Sequence, residues 1–188
     1  MGQCSGTVPF LLVFLADYDG SDTMKRRQFL GLAGLTSLVG AIPGLSFGFP
    51  RLDLEAAPGL EMLELSEAQW RERLTDEAFN VLRKHGTEPA FSSPLDKEWG
   101  DGEYRCAGCD LLLFSSEMKY DSGTGWPSFF EHVEGHMLTE LDFKLVWPRT
   151  EYHCARCGGH QGHVFEDGPD PTGLRWCNNG VALRFVPA

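Results

Sequence analysis

Residues 106–109 read CAGC and residues 154–157 read CARC, so the chain carries two C-x-x-C pairs. Each pair places two thiols one tight turn apart, and the small residues between them let backbone amides wrap the sulfur atoms. Four thiolates from two such turns suit a tetrahedral Zn²⁺ ion. The predicted zinc ligands are Cys106, Cys109, Cys154 and Cys157. Because four sulfur ligands leave no coordination position open, the predicted role of the zinc is structural.

The paired cysteines have two other interpretations. Two disulfides would suit a protein that works in an oxidising compartment. A C-x-x-C pair can also act as a redox centre, although no thioredoxin-like βαβ pattern surrounds either pair. The gap between the pairs is longer than in a minimal zinc ribbon, so part of a sheet is expected to lie between them.

The bulk composition is that of a globular protein. The chain has 188 residues, of which 42% are hydrophobic and 23% are charged, enough for one domain and a tail. Its formal net charge of −11 argues against nucleic acid as a partner, because nucleic-acid binding relies on Lys and Arg contacts to phosphate. The same charge argues against an anionic membrane surface.

The pattern of apolar residues predicts a mainly β fold of short antiparallel strands in coiled sheets, with the two cysteine knuckles and short N-terminal helices. Ser66 begins a capping-box pattern for a helix through Arg73, and Thr75 caps a second helix through His85. After Gly100, short apolar or alternating runs are separated by Gly, Pro, Asp and Asn. The predicted strands are residues 103–106, 111–114, 143–147, 163–166, 175–179 and 183–186.

The N-terminal region has the pattern of an export signal. Residues 24–42 read MKRRQFLGLAGLTSLVGAI, a basic head followed by a glycine-interrupted apolar run. The Arg26-Arg27 pair resembles a twin-arginine signal, which predicts export to the bacterial periplasm. The predicted organisation is a leader at 1–50, a linker at 51–65 and a folded domain at 66–188.

Two features of the leader are open. Residues 1–23 precede the basic head, so translation is hypothesised to begin at Met24. No A-x-A site follows the apolar run, so an uncleaved leader would act as a membrane anchor, whereas cleavage would leave no membrane span. The apolar run is shorter than the ~20 residues that a spanning helix needs.

Cys177 is the lone cysteine of the predicted domain. If it lies in a strand, Arg175 and Asn179 share its face, so a cation and an amide flank the sulfur. A neighbouring positive charge lowers the pKa of a thiol and supplies thiolate, which favours a nucleophilic role. A buried structural cysteine is the alternative interpretation.

Other candidate site residues lie in two short runs. His160 and His163 are spaced three apart beside the second knuckle. They could extend the metal site, although four cysteines already fill it, or they could be ordinary polar loop residues or proton donors. Trp126 follows two glycines and precedes a proline, and it could either pack in the core or form a wall for an apolar methyl group.

Both knuckles and three further motifs together resemble the B-type methionine sulfoxide reductases, which act on the R epimer of the sulfoxide. These motifs are YDSGTGWPSF at 120–129, HQGHVFEDGP at 160–169 and PTGLRWCNN at 171–179. The resemblance runs from about Ser66 to Phe185. It implies Zn²⁺ on the four knuckle cysteines and a set of active-site residues. The implied catalytic residues are Cys177, His160, His163 and Asn179, with Trp126 packing on the substrate methyl group.

The resemblance also implies a reaction. The Cys177 thiolate attacks the sulfoxide of an oxidised peptide or protein methionine and becomes a sulfenic acid. Many members of the family carry a resolving cysteine where this chain has Thr124, and the only spare thiol is Cys4 near the N-terminus. An external thiol, from a thioredoxin-like protein or a small molecule, is therefore the expected reductant. A monomer is expected.

Two other functions fit parts of the same pattern. A zinc-ribbon module that binds a protein partner would use the same knuckles without any reaction. A thiol peroxidase would use Cys177 on hydrogen peroxide. A further departure from the family is Gly180, where serine is common, and its expected effect is a looser turn.

Overall fold

A computed structural model describes residues 52–143 and 148–188, so the predicted leader lies outside the described residues. Within these residues the chain forms two α-helices, nine β-strands and three short 3₁₀ helices. The helices are α1 (Glu67–Arg73) and α2 (Asp76–Lys84), and the 3₁₀ helices are Pro94–Lys97, Ser116–Met118 and Gly180–Ala182. The strands are β1 (Gly102–Cys106), β2 (Leu112–Ser115), β3 (Lys119–Tyr120), β4 (Ser128–Phe129), β5 (Met137–Asp142), β6 (Arg149–Cys154), β7 (His160–Phe165), β8 (Arg175–Asn178) and β9 (Leu183–Pro187).

The strands form two antiparallel sheets. The smaller sheet has the order β2-β1-β9, and the larger sheet has the order β3-β4-β8-β7-β6-β5. Every strand pair is antiparallel, which short connections permit. The prediction of a mainly β fold with short antiparallel strands and short N-terminal helices is confirmed.

Both helices begin where their capping residues predict. The Ser66 side chain accepts from the Gln69 backbone N–H, and the Gln69 side chain accepts from the Ser66 backbone N–H, so the capping box is complete. Thr75 caps α2, which ends at His85 in the left-handed conformation with φ of 55°. Neither helix, nor any other in the part of the chain described, is long and apolar enough to cross a bilayer.

Strands β5 and β6 were not predicted, because they do not show apolar alternation. Asp142 and Glu151 are buried in them on the face away from the hydrophobic core, so buried positions carry charge as well as hydrocarbon. The predicted strand at 143–147 is wrong at its start: Phe143 lies outside any strand and is 71% exposed. The rest of that run, residues 144–147, lies outside the described residues.

Aromatic side chains fill the core between the sheets. Phe114 and Phe129 stack with ring centroids 3.9 Å apart, and Tyr152 packs edge-on against Trp176 with centroids 5.0 Å apart. Successive residues of a strand point to opposite faces, so Trp176 enters the core while Cys177 faces away from it.

The segment predicted as a linker lies against the domain. Residues 52–65 have no helix or strand of their own, but Leu52, Leu54, Leu63 and Leu65 pack on the core. The Leu63 backbone N–H donates to the Arg156 carbonyl at 2.7 Å, in the second knuckle. The described part of this segment therefore covers the cysteine-bearing end of the domain.

The Tyr152 hydroxyl makes a buried hydrogen bond within the larger sheet, and its removal tests how much that bond stabilises the fold. It donates to Asn178 Oδ1 at 2.8 Å, and both residues are fully buried. Tyr152→Phe leaves that oxygen without its donor, so we expect a loss of about 1–3 kcal/mol in the free energy of unfolding. Urea denaturation of the zinc-loaded protein measures this change in the free energy of unfolding.

Tyr120→Phe is the matched control. The Tyr120 hydroxyl is buried but has no hydrogen-bond partner among the described residues. Its removal should change the free energy of unfolding by less than about 0.5 kcal/mol. Equal losses in the two variants would show that the Tyr152 hydrogen bond does not stabilise the sheet.

Candidate active site and cysteine cluster

The four knuckle cysteines meet in one buried cluster. The Sγ atoms of Cys106 and Cys157 are 3.7 Å apart, those of Cys109 and Cys154 are 3.4 Å apart, and all four lie within 4.8 Å of one another. Zn–S bonds of about 2.3 Å give a tetrahedron with edges of about 3.8 Å. The sulfur atoms therefore fit a metal ion of this kind, and none of the four cysteines is in a disulfide.

The cysteine cluster joins the two sheets. Cys106 ends β1 in the smaller sheet, and Cys154 ends β6 in the larger sheet. Hydrogen bonding to Cys106 lowers the pKa of Cys109, while hydrogen bonding to the other thiols raises the pKa of Cys106. Gln161 Nε2 donates to Cys106 Sγ at 3.4 Å, which ties the cluster to β7.

A row of polar side chains crosses the larger sheet on the face away from the core. Cys177 in β8 pairs with Ser128 in β4 on one side and with His163 in β7 on the other. His163 in turn pairs with Glu151 in β6. Directly paired residues point to the same face, so the sulfur and the imidazole are neighbours by register.

A cleft of about 110 Å³ opens at this row. Its lining residues are Thr87, Trp126, Arg149, Gly162, His163, Phe165, Cys177, Asn178 and Asn179. The structure thus brings together four of the five residues predicted for catalysis and substrate binding, Cys177, His163, Asn179 and Trp126. The fifth, His160, does not line the cleft.

The Cys177 thiol is half-buried, and its electrostatics differ from the expectation. Burial raises the pKa of Cys177 above its ordinary value, which outweighs the lowering effect of the Arg175 guanidinium and of the Thr124 hydroxyl. Arg175 forms a two-pronged ion pair with Asp167, with both N···O distances 2.8 Å. The fall in the pKa of Cys177 that the sequence predicted is therefore not found.

His163 is held by a buried carboxylate. Its Nε2 lies 2.9 Å from Asp142 Oδ2, which also accepts from Arg149 Nη2 at 2.8 Å. Burial lowers the pKa of His163 below its ordinary value despite the opposing effect of Asp142. The imidazole is then neutral at neutral pH and can take up a proton.

Glu88 connects the walls of the cleft, and no motif in the sequence marks it. Its backbone N–H donates to Asn179 Oδ1 at 3.0 Å, and its carbonyl accepts from Trp126 Nε1 at 3.2 Å. Its carboxylate accepts from the backbone N–H groups of Gly180 and Val181 at 2.6 and 2.9 Å. Burial raises the pKa of Glu88, although these backbone hydrogen bonds oppose the rise.

The close contact of β7 with β8 requires a glycine at Gly162. A Cβ added there would lie 1.9 Å from the backbone oxygen of Cys177. The glycine therefore lets the two strands that carry His163 and Cys177 approach each other.

His160 lies behind the cleft in a second group, the histidine cluster. Its members are His85, Glu151, His153 and His160. The ring of His160 is 1% exposed, and its centroid is 5.5 Å from that of His163. Burial would raise the pKa of Glu151, but its contacts with His160 and His85 lower it to about 2. No spacing in the sequence points to this cluster, because its members come from the end of α2, from β6 and from β7.

Comparison with known proteins gives one consistent result. The SelR domain family matches residues 74–187. The chain is 53% identical over 123 residues to a peptide methionine sulfoxide reductase MsrB of Agrobacterium fabrum, covering 65% of this chain and 91% of that protein. It is 52% identical over 134 residues to the mitochondrial methionine-R-sulfoxide reductase B2 of Rattus norvegicus, covering 67% and 77%. The chloroplastic peptide methionine sulfoxide reductase B1 of Arabidopsis thaliana is 43% identical over 144 residues, covering 76% and 71%.

The raised pKa of Cys177 predicts a specific pH profile of thiol reactivity. Only the thiolate is alkylated, so the rate of iodoacetamide labelling at Cys177 should still be rising at pH 9.0, the ordinary thiol value. Arg175→Met removes a charge that favours the thiolate, so the midpoint should move to still higher pH. Peptide mass spectrometry at each pH measures labelling at this residue alone.

Arg184→Met is the control for charge removal. Arg184 is exposed, forms an ion pair with Asp110, and lies in β9 of the smaller sheet, whereas Cys177 lies in the larger sheet. Its substitution should leave the labelling midpoint unchanged. A midpoint for the unmodified chain below pH 9.0 would contradict the burial argument.

Proposed function

The chain belongs to the SelR-domain family of methionine sulfoxide reductases, and from that membership we propose how its residues carry out the reaction. It is an oxidoreductase that reduces methionine-R-sulfoxide in peptides or proteins to methionine. The observation that carries the proposed mechanism is the meeting of Cys177, His163 and Trp126 in one cleft. Each of them comes from a different part of the chain, so their meeting depends on the fold.

Cys177 is the nucleophile. Its thiolate donates an electron pair to the electrophilic sulfur of the sulfoxide, and the sulfur–oxygen bond of the substrate then breaks. The oxygen passes to Cys177 together with the proton that the thiol released, and methionine leaves. Two electrons have moved, so methionine is reduced while Cys177 is oxidised to a sulfenic acid.

His163 and Asn179 serve the oxygen of the substrate. His163 is the cross-strand partner of Cys177, and its neutral imidazole can take the thiol proton and return it to the sulfoxide oxygen. Asn179 Nδ2 donates one N–H to the Gln161 carbonyl at 2.9 Å, which leaves its second N–H for the developing charge on that oxygen. His160 stays a prediction from the family, since it does not touch the cleft.

Trp126 forms the apolar wall of the cleft. Its indole N–H is held by the Glu88 carbonyl, so the ring has a fixed orientation beside the sulfur. A methyl group packed on this ring would place the sulfoxide oxygen towards His163 in only one of the two epimers. We infer that this packing contributes to the choice of the R epimer.

An external thiol regenerates the enzyme. The sulfenic acid reacts with one thiol to give a mixed disulfide and water, and a second thiol releases Cys177 and leaves as a disulfide. Thr124, not a cysteine, stands near the sulfur, and its hydroxyl acts to lower the pKa of the Cys177 thiol. A thioredoxin-like protein or a small thiol is the proposed reductant.

Zinc is the proposed metal of the cysteine cluster. The four buried sulfur atoms and their spacing support it, because soft thiolates in a tetrahedron select Zn²⁺. When bound, the ion would supply folding free energy and no open coordination position. It would hold the two sheets in the relative position that the cleft requires.

The N-terminal leader is proposed to direct export through the twin-arginine pathway. The basic head at Lys25, Arg26 and Arg27 and the apolar run after it support this proposal, as does the location of both features ahead of the matched domain. The proposed localisation of the protein is then the periplasm. We also propose that the domain acts as a monomer.

A stereospecific assay tests the proposed function. With dithiothreitol as reductant, the chain should reduce methionine-R-sulfoxide and leave the S epimer almost unchanged. Cys177→Ser should lower the rate by at least about 10³-fold, because the serine hydroxyl is not ionised at neutral pH. Chiral chromatography of the remaining sulfoxide measures both epimers at once.

Cys4→Ser is the matched control, because it removes the other lone thiol. It should keep full activity, and both variants should keep the zinc content of the parent. Equal turnover of the two epimers, faster turnover of hydrogen peroxide, or an active Cys177→Ser protein would each overturn the proposed function.

A single turnover without reductant tests the regeneration step. Dimedone should trap one sulfenic acid on Cys177, and mass spectrometry should find the peptide of Cys177 modified. An intrachain disulfide that joins Cys177 to Cys4 or to a knuckle cysteine would contradict the proposal of direct reduction by an external thiol.

A further inference from the structure

The histidine cluster concentrates metal-ligating side chains outside the cysteine cluster and the cleft. Three imidazoles and one carboxylate surround a common point, and their ligand atoms all lie within 4.8 Å of one another. His85 follows α2, Glu151 and His153 lie in β6, and His160 begins β7. The fold therefore assembles the group from separate elements.

Glu151 Oε1 stands at the centre of the group. It lies 2.5 Å from His85 Nδ1, 2.5 Å from His160 Nδ1 and 3.7 Å from His153 Nε2. Ligands on a tetrahedral ion with bonds of about 2.0–2.1 Å are about 3.3 Å apart. Side-chain movements of about 1 Å would open the group around such an ion.

Hydrogen bonds among these residues account for only part of the arrangement, since the bond between His85 Nδ1 and Glu151 Oε1 leaves other ring nitrogens of the cluster without one. Neither ring nitrogen of His160 is aligned for a hydrogen bond to any described residue, although the ring is 1% exposed. His153 Nε2 is also buried and without a partner among the described residues. His160 Nδ1 has the Glu151 carboxylate at 2.5 Å, but His160 Nε2 and His153 Nε2 make no hydrogen bond among the described residues. Buried polar atoms are nearly always satisfied, so these two nitrogens point to a missing partner.

We propose that the histidine cluster binds a divalent transition-metal ion, with Zn²⁺ as the probe for it, separately from the cysteine cluster. Three imidazole nitrogens and one carboxylate oxygen are ligands that suit zinc, copper, iron and nickel, whereas calcium and magnesium prefer oxygen alone. The Glu151 carboxylate offsets part of the charge of the ion. This inference is independent of the proposed reductase activity.

The histidine cluster is accessible from solvent, and it lies next to His163. The His85 side chain is 41% exposed, so an ion can enter from its side. His160 lies between the proposed ion and His163, with the two ring centroids 5.5 Å apart. An ion bound to His160 would therefore hold in place the His160 ring, which packs behind His163, the proposed proton carrier.

Metal stoichiometry tests the proposal on the full chain in the Cys4→Ser background. Equilibrium dialysis against Zn²⁺ and elemental analysis should find about two ions per chain, and about one after His85→Gly or His153→Gln. Outer partners of a ligand alone change metal affinity by about 10- to 100-fold, so loss of a direct ligand should weaken the second ion at least as much. Co²⁺ added to the chain loaded with a single equivalent of Zn²⁺, which fills the cysteine cluster first, should show d–d absorption without a thiolate charge-transfer band.

His136→Gln is the control, because His136 is partly buried at 2.6 Å from the Leu112 carbonyl and outside the cluster. It should still bind about two ions. His85→Gly also protects the test against misfolding, since glycine favours the left-handed conformation of that position. Reductase activity of His85→Gly in metal-free buffer should equal that of the parent. One ion per parent chain, or a second ion that persists in both cluster variants, would overturn the proposal.

Discussion

The contact of four sulfur atoms between the two sheets is the constraint on which the rest of the structure depends. One pair of cysteines belongs to the end of β1 and the turn after it, and the other to the end of β6 and its turn. Neither sheet is large, and the proposed metal ion would crosslink them and supply much of the stability of so small a β domain. The same cluster fixes where β7 begins, because Gln161 hydrogen-bonds one of the sulfurs.

From that fixed point the cleft follows by strand register. Cys177 and His163 are neighbours because β7 and β8 pair without an intervening side chain at Gly162. Burial makes the sulfur less acidic and the imidazole less basic than in water, so neither group is charged in the free enzyme at neutral pH. In the mechanism proposed above, the reaction then begins by proton transfer from the Cys177 thiol to the His163 imidazole.

The sequence predicts the features that depend on neighbouring residues, and it does not predict those that depend on contacts between distant parts of the chain. Capping residues and C-x-x-C spacing act over a few positions, so the helix starts and the cysteine cluster could be identified. Strands β5 and β6 were not predicted because Asp142 and Glu151 are buried charged residues on the cleft face and break the expected apolar alternation. The role of Glu88 depends on hydrogen bonds to residues some 90 positions away, and the pKa of Cys177 depends on burial, which only the fold determines.

Strand β8 serves the core with one face and the cleft with the other, since Trp176 and Cys177 are consecutive. Efforts to make this protein more heat-resistant by repacking its interior therefore cannot treat the interior as separate from reactivity. A larger or smaller side chain in place of the indole would shift the strand and, with it, the sulfur atom. Directed evolution for thermal tolerance should find its useful substitutions on β1, β2 and β9, because these strands form the sheet that does not contain the nucleophile.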